Sequence, residues 1–434
     1  MSTFEFIVDD WVQIADPDPR RACTSAELIV LVDKIPATRL FDAWSRTVSD
    51  RARLPIYPLA EWFAANWWRL HAETPYEGGG FPPTDWRLSH DLTAIGGGYI
   101  WPRMRFASDD WGVQVSARAV RNAPWEPVRH LNDIQPGRSV PTEVFDRAVE
   151  NLIDLVLRRM NDVGVAAEPL RTIWSDVVAE RSDTEVTEWR RWEARLGYDP
   201  DQAPDHLMNQ LAGLFGRAGK PATAEVAPLL STNYDKMLAR LDELASSPGV
   251  EAELPLQQEF DVDLSIAPWD AGRALAHVVR ERGGSTTGPL QNKDLANLLG
   301  CSIAEFEPQS QRDVPVGLGV LTEARNGATL HFRKRNMPGF RFEAARFLAD
   351  AIFASGEDRW LPLTDRGTAR QKFQRSFAAE LLAPIDEIRD KYEEEATPER
   401  IEDLADGYGV SALAIRSHLA NHGILNPEAV ALAS

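Results

Sequence analysis

A change of pattern near residue 141 divides this chain. Nine of its fourteen tryptophans (Trp11, Trp44, Trp62, Trp67, Trp68, Trp86, Trp101, Trp111 and Trp125) lie before residue 126, among short segments broken by glycine and proline. From Pro141 onward apolar residues recur every three or four positions, the period of a helix with one buried face. Val144, Phe145, Val149, Leu152, Ile153, Val156 and Met160 form the first such stripe, with Thr142 as its N-cap. A chain with this order is expected to be α+β and predominantly helical. The expected domains are a Trp-rich α+β domain over 1–140, a helical domain over 141–250 and a third domain over 265–434. Pro, Gly and acidic residues in 246–255 oppose continued helix and mark the second boundary.

Within the first segment, Leu59, Trp62, Phe63, Trp67 and Leu70 fall at helical intervals and predict one helix over 57–70. Adjacent Trp67 and Trp68 point different ways, so one of them is expected to meet another domain or a partner. Gly78–Pro83 reads as a loop. Gly96-Gly-Gly98 lacks the following helix and lysine of a phosphate cradle, so it reads as a tight turn. Ile100–Phe106 and Trp111–Val120 are expected to form a hairpin across Ser108–Asp110. Further helices are expected around 168–181, 183–196, 203–218, 234–246, 268–282, 292–299, 341–354 and 366–383, strands at 317–323 and 328–333, and a closing helical pair.

The balance of 47 Lys plus Arg against 66 Asp plus Glu leaves a net charge of −19, which repels phosphate and disfavours a nucleic-acid-coating surface. Two cysteines, Cys23 and Cys301, are too few for a disulfide framework or a Cys-rich zinc site. The first residues show no basic stretch followed by an apolar one, and no apolar run approaches the roughly 20 residues that cross a bilayer. A cytoplasmic protein without a membrane partner is expected.

Two segments carry the most chemical information: Gly339-Phe-Arg-Phe-Glu-Ala-Ala-Arg-Phe-Leu-Ala-Asp-Ala-Ile-Phe353 and Ala369-Arg-Gln-Lys-Phe-Gln-Arg-Ser-Phe-Ala-Ala-Glu-Leu-Leu-Ala-Pro384. Together they resemble the core of the ImmA/IrrE family of metallopeptidases. In that family one helix carries His-Glu-x-x-His, two zinc ligands and a general base, and a second reads Phe-Ala-Ala-x-Leu-Leu-x-Pro near the third ligand. Histidines at i and i+4 share a helix face, and the glutamate between them activates the zinc-bound water. Here Arg341-Phe342 matches the opening of the first helix and Phe377–Pro384 matches the second. Carried over by position, the two histidines become Arg346 and Asp350, the base becomes Phe347 and the third ligand becomes Phe373. Neither arginine nor phenylalanine coordinates zinc. The resemblance spans about 268–425 and implies a zincin-like C-terminal domain with its metal site degenerate. It suggests an i, i+4 ion pair between Arg346 and Asp350, with Phe347 and Phe373 filling the vacated volume.

The resemblance implies a non-catalytic regulatory or sensor protein that binds a protein, peptide or small ligand. Family members act beside repressor-type regulators in phage, mobile-element or stress control, so such a partner is expected by analogy. No cofactor is expected. One alternative is a metallo-endopeptidase with an unconventional zinc site drawn from Glu343, Asp350, Glu380 and His331. Another is a DNA-binding regulator. Thr397–Gly423 has helix-turn-helix form, with Thr397 and Ser411 as caps, and its second helix offers Arg416 and Asn421 to base edges. Its first helix carries Glu399, Glu402, Asp403 and Asp406, which favours structural packing over DNA reading. His418 and His422 sit near a helix end ahead of Gly423, where the dipole favours them. Arg333-Lys-Arg335 reads as a solvated basic strip.

Overall fold

The computed structural model describes residues 2–77, 80–121, 123, 125–135, 137–230, 234–256, 260, 266–308, 316–394 and 397–426. The fold is α+β and mostly helical. No helix among the described residues is long and apolar enough to cross a membrane. Of the expected Gly78–Pro83 loop, Gly78 and Gly79 lie outside the described residues.

The chain forms two compact units, Met1–Met208 and Asn209–Ser434, and the boundaries expected near 140 and 250 do not coincide with that division. The reason lies in the helix Thr142–Asp162, whose stripe is buried in the N-terminal core rather than in a helical domain of its own. Phe145 stacks on Phe4 at 5.4 Å, and Phe63 meets Phe106 edge-on at 5.4 Å, joining the helix to strands and to the Trp-rich segment. Thr142 is the first residue of that helix and not its cap; Pro141 precedes it with no side-chain cap bond.

In the first unit, strand Phe4–Val12 runs antiparallel to Ser25–Val32, which also pairs with Ile35–Pro36 and Ala52–Pro55. Met104–Ser108 and Gly112–Ala117 form the expected hairpin, extended by Ser139–Pro141. The helix expected over 57–70 is two helices, Ile56–Ala65 and Trp67–Ala72, interrupted at Asn66. The Asn66 amide donates to the Trp62 carbonyl (2.8 Å), competing with the helical backbone as short polar side chains do. Trp67 and Trp68 are both buried. Trp67 stacks on His71 (4.2 Å), and the Trp68 indole donates to Glu180 (2.6 Å) on the helix Leu170–Arg181. The second tryptophan therefore meets the helical segment, within the same unit.

In the second unit a four-stranded antiparallel sheet has the order Val250–Ala252, Ala328–His331, Gly317–Leu321, Trp360–Leu363. The linker expected at 246–255 thus supplies an edge strand, because its short apolar alternation finds a partner in Ala328–His331. Helices Pro268–Arg282, Asn292–Leu299, Met337–Phe353 and Ala369–Leu382 share one apolar core with this sheet. Pro398–Tyr408 and Ala412–Asn421 form the expected helical pair, turned at Gly409 in the left-handed conformation (φ +63°) that glycine adopts without penalty. Thr397 and Ser411 cap the two helices as expected.

Candidate functional site

Local chemistry fixes the two central helices. Asn336 accepts from the Gly339 amide (2.8 Å) with Pro338 in the first turn, and Thr368 caps the second helix through the Gln371 amide (3.3 Å). Met337–Phe353 is buried nearly all round, which explains its apolar run. Ala369–Leu382 lies so close to Pro268–Arg282 that a Cβ on Gly272 would come within 2.5 Å of the Phe373 carbonyl oxygen.

All four positions carried over from the peptidase pattern are buried, and their side chains are committed elsewhere. The expected Arg346–Asp350 ion pair does not form. Asp350 instead takes a bidentate contact from Arg370 on the neighbouring helix, Nε to Oδ1 at 2.7 Å and Nη2 to Oδ2 at 3.0 Å, while Nη1 of Arg370 reaches Asp358 at 2.9 Å. A planar fork approaching across the helix interface matches a carboxylate better than an i, i+4 arginine in the unfavourable order. Burial works against the Arg370 charge, but Asp350 and Asp358 outweigh it and raise the guanidinium further above its ordinary value.

Among the described residues, no carboxylate is in contact with Arg346. Its Nη2 donates to the Thr364 carbonyl (2.7 Å), to Gln374 (3.1 Å) and to Oε1 of Gln371. Gln371 passes the bond on, its Nε2 donating to the buried Glu225 (2.9 Å), which also accepts from Thr368 (2.8 Å). Amide relay to one carboxylate is weak compensation for a buried cation. Burial, followed by the repulsion of Arg375 and Arg333, pulls Arg346 down to about 9. Phe347 and Phe373 are fully buried; Phe347 meets Phe332 edge-on at 5.2 Å and Phe373 packs on Phe353 at 4.9 Å.

The unconventional ligand set is not brought together. Glu343 accepts from the Arg333 and Lys334 amides (2.8 and 3.1 Å) and from the Arg333 guanidinium (2.9 Å), so it clamps the segment leading into the helix. That same contact, with Asp365 at 3.0 Å, corrects the solvated reading of Arg333. Glu380 is buried between two imidazoles, His277 and His418, each 3.3 Å from one of its oxygens, and accepts from the Ile385 amide (3.2 Å). Burial opposes its charge, yet His418 and His277 with the Ile385 amide outweigh that and hold the carboxyl below its ordinary value. His418 thus faces a carboxylate rather than capping a helix end, whereas His422 bonds the His418 carbonyl (2.9 Å) near the terminus. His331 lies buried at the end of its strand. Among the described residues no group of three or more His, Cys, Asp or Glu side chains is placed to hold a metal.

A zinc ion does not fit the positions the resemblance assigns to it: one arginine and two phenylalanines offer no ligand atom, and both Asp350 oxygens are taken by Arg370. Sequence reasoning missed Arg370, Gln371, Gln374, Glu225 and His277. None carries a local signal, since each meets its partner across helices distant in sequence. The helical pair is tied down rather than presented: Arg341 donates to the Gly409 carbonyl (3.0 Å) and the Leu290 carbonyl (2.7 Å), and Arg416 pairs with Glu402 (3.1 Å), while Asn421 is exposed. Beside the core lies a pocket of about 190 Å³ walled by Val279, Leu290, Leu298 and Leu381. It is bordered by Arg280, a buried guanidinium that donates to the Gly288 carbonyl (2.6 Å) and to that of Leu381, and whose Nε has no acceptor. In comparisons with known proteins, the chain matches no family model, no curated protein and no solved structure.

Proposed function

We propose that this chain is a non-catalytic regulatory or sensor protein whose C-terminal unit has the arrangement of an ImmA/IrrE-type peptidase with its hydrolytic centre replaced by structural contacts. The observation that carries the reading is the commitment of Asp350, the one replaced position able to hold a metal, to a bidentate bond with buried Arg370. A carboxylate so held releases its partner only by leaving a buried cation with Asp358 alone, at a cost of about 3 kcal/mol. The activity is then binding. The apolar pocket beside Arg280 suits a small ligand with a carboxylate head and an apolar body, of the size that a cavity near 190 Å³ accepts. A repressor-type protein is the partner suggested by analogy.

The test is hydrolysis of an unstructured protein substrate such as casein by the full chain supplied with zinc. The reading expects no cleavage above that of the Asp350→Ala variant. Cleavage by the unaltered chain that disappears in the variant would establish the peptidase reading instead.

A further inference from the structure

The first sheet ends at the strand Phe4–Val12. Among the described residues, Phe4–Val12 pairs only with Ser25–Val32. The register shows which backbone groups that leaves unpaired. Val30, opposite Phe6, donates its amide to the Thr38 hydroxyl (3.1 Å) and accepts from the Ala37 amide (2.8 Å), so both its polar groups face away from Phe4–Val12. Phe6 and Val30 are therefore a non-hydrogen-bonded pair, and by alternation so are Phe4 with Val32 and Val8 with Leu28. The Asp33 amide donating to the Thr3 carbonyl (3.0 Å) fits the same phase. Phe4 is buried, so the amides and carbonyls of Phe6 and Val8 are the ones that point outward from the sheet edge within reach, the template that an added strand uses.

Beside that edge runs a groove of about 400 Å³ between the strand and the helix Thr142–Asp162. Phe6, Val8, Val144 and Leu155 give it an apolar lining, and Arg147 and Arg158 stand on the helix side. Both arginines are exposed and, among the described residues, neither makes an ion pair, although other arginines of the unit do, such as Arg181 with Glu150 and Arg190 with Glu180. Among the described residues lining the groove, Glu5 is the one acid. Two uncompensated guanidinium groups in a chain of net charge −19 make this a local attractor for carboxylates.

We propose that an extended acidic peptide docks here as an additional strand on Phe6–Val8, its backbone bonding Phe6 and Val8 and its side chains reaching into the groove. The eleven positions from Arg147 to Arg158 span roughly 16 Å of helix at about 1.5 Å each. Two acids four steps apart on one face of a strand stand roughly 13 Å apart at about 3.3 Å per step, and the length of the arginine side chains covers the remaining roughly 3 Å. Alternate residues share a face, so the recognised pattern is acid, any residue, apolar, any residue, acid.

The probe is a fluorescein-labelled heptapeptide, threonine-glutamate-threonine-valine-threonine-glutamate-threonine, titrated with the full chain by fluorescence anisotropy. Saturable binding is expected, weakened at least tenfold in the Arg147→Glu, Arg158→Glu double variant and in a probe with lysine at both glutamate positions. Because both arginines are exposed, the variant should retain the wild-type circular dichroism spectrum. A probe N-methylated at alternate amides should also bind at least tenfold more weakly, which mere charge attraction would not produce. No binding with a Kd below about 1 mM would overturn the proposal. So would equal affinity for the methylated probe, or equal affinity of the double variant.

Discussion

Replacing Asp350 with asparagine keeps the shape of the side chain and removes the charge that Arg370 grips. In the intact protein the guanidinium makes three charge-assisted bonds, two to Asp350 (2.7 and 3.0 Å) and one to Asp358 (2.9 Å), all among buried groups. Breaking a buried ion pair by removing one partner costs about 3–5 kcal/mol. Asp358 remains in Asp350→Asn, so the loss should fall at the lower end, about 3 kcal/mol, or roughly 6–12 °C in melting temperature for a unit of this size. Arg370→Met is the harsher change, since it strands two buried carboxylates, leaving Asp358 with the Ser355 amide (2.9 Å) and Asp350 with the side chain of Gln374. Its loss should reach about 5 kcal/mol. Urea unfolding followed by circular dichroism, with the slope compared among variants, measures both. A loss below about 1 kcal/mol for Asp350→Asn, or one exceeding that of Arg370→Met, would refute the assignment of Asp350 to a structural pair.

Phe373→Ala should cost about 3–5 kcal/mol by the same measurement, because a fully buried ring packed on Phe353 leaves a cavity between close helices. A loss below about 1 kcal/mol would show that no filled space depends on it. Arg346 gives a pH signature. Its folded value, near 9, lies well below that of an ordinary guanidinium, so between the two the unfolded chain binds more protons and stability rises with pH. The cost of the buried cation is therefore fully present at neutral pH and relieved as pH climbs through 9. Relative to an Arg346→Met variant, the unaltered protein should gain stability between pH 7 and pH 10; a difference that stays flat or falls would contradict the reading.

Periodicity made much of the fold legible. The stripe of Thr142–Asp162, the hairpin around Ser108–Asp110 and the capped pair from Thr397 to Asn421 follow from local rules that tertiary packing did not override. The helix Lys220–Leu230 stayed hidden behind Pro221 and Pro228, tolerated respectively in its first turn and where tertiary packing buries the break. Domain boundaries were the least legible, since nothing local tells the first helix after Pro141 to join the preceding strands. At the candidate site the two helices could be read, though not their caps Asn336 and Thr368, and so could the absence of zinc-ligating atoms at Arg346, Phe347 and Phe373. The partner of Asp350 could not. A charge at i+4 is visible in sequence, whereas Arg370, twenty positions away, becomes the better partner only once the two helices pack and its fork lies square to the carboxylate. Glu380 illustrates the same limit: its flanking imidazoles, His277 and His418, come from helices far from it in sequence.

The most direct measurement is the zinc content of the untagged full chain after equilibration with zinc and removal of the excess by gel filtration, read by elemental mass spectrometry alongside Asp350→Ala. Replacement of the hydrolytic centre by structural contacts requires substoichiometric zinc, the same in both proteins. One zinc per chain, lost on changing Asp350, would place a metal where Arg370 is now assigned and contradict the account.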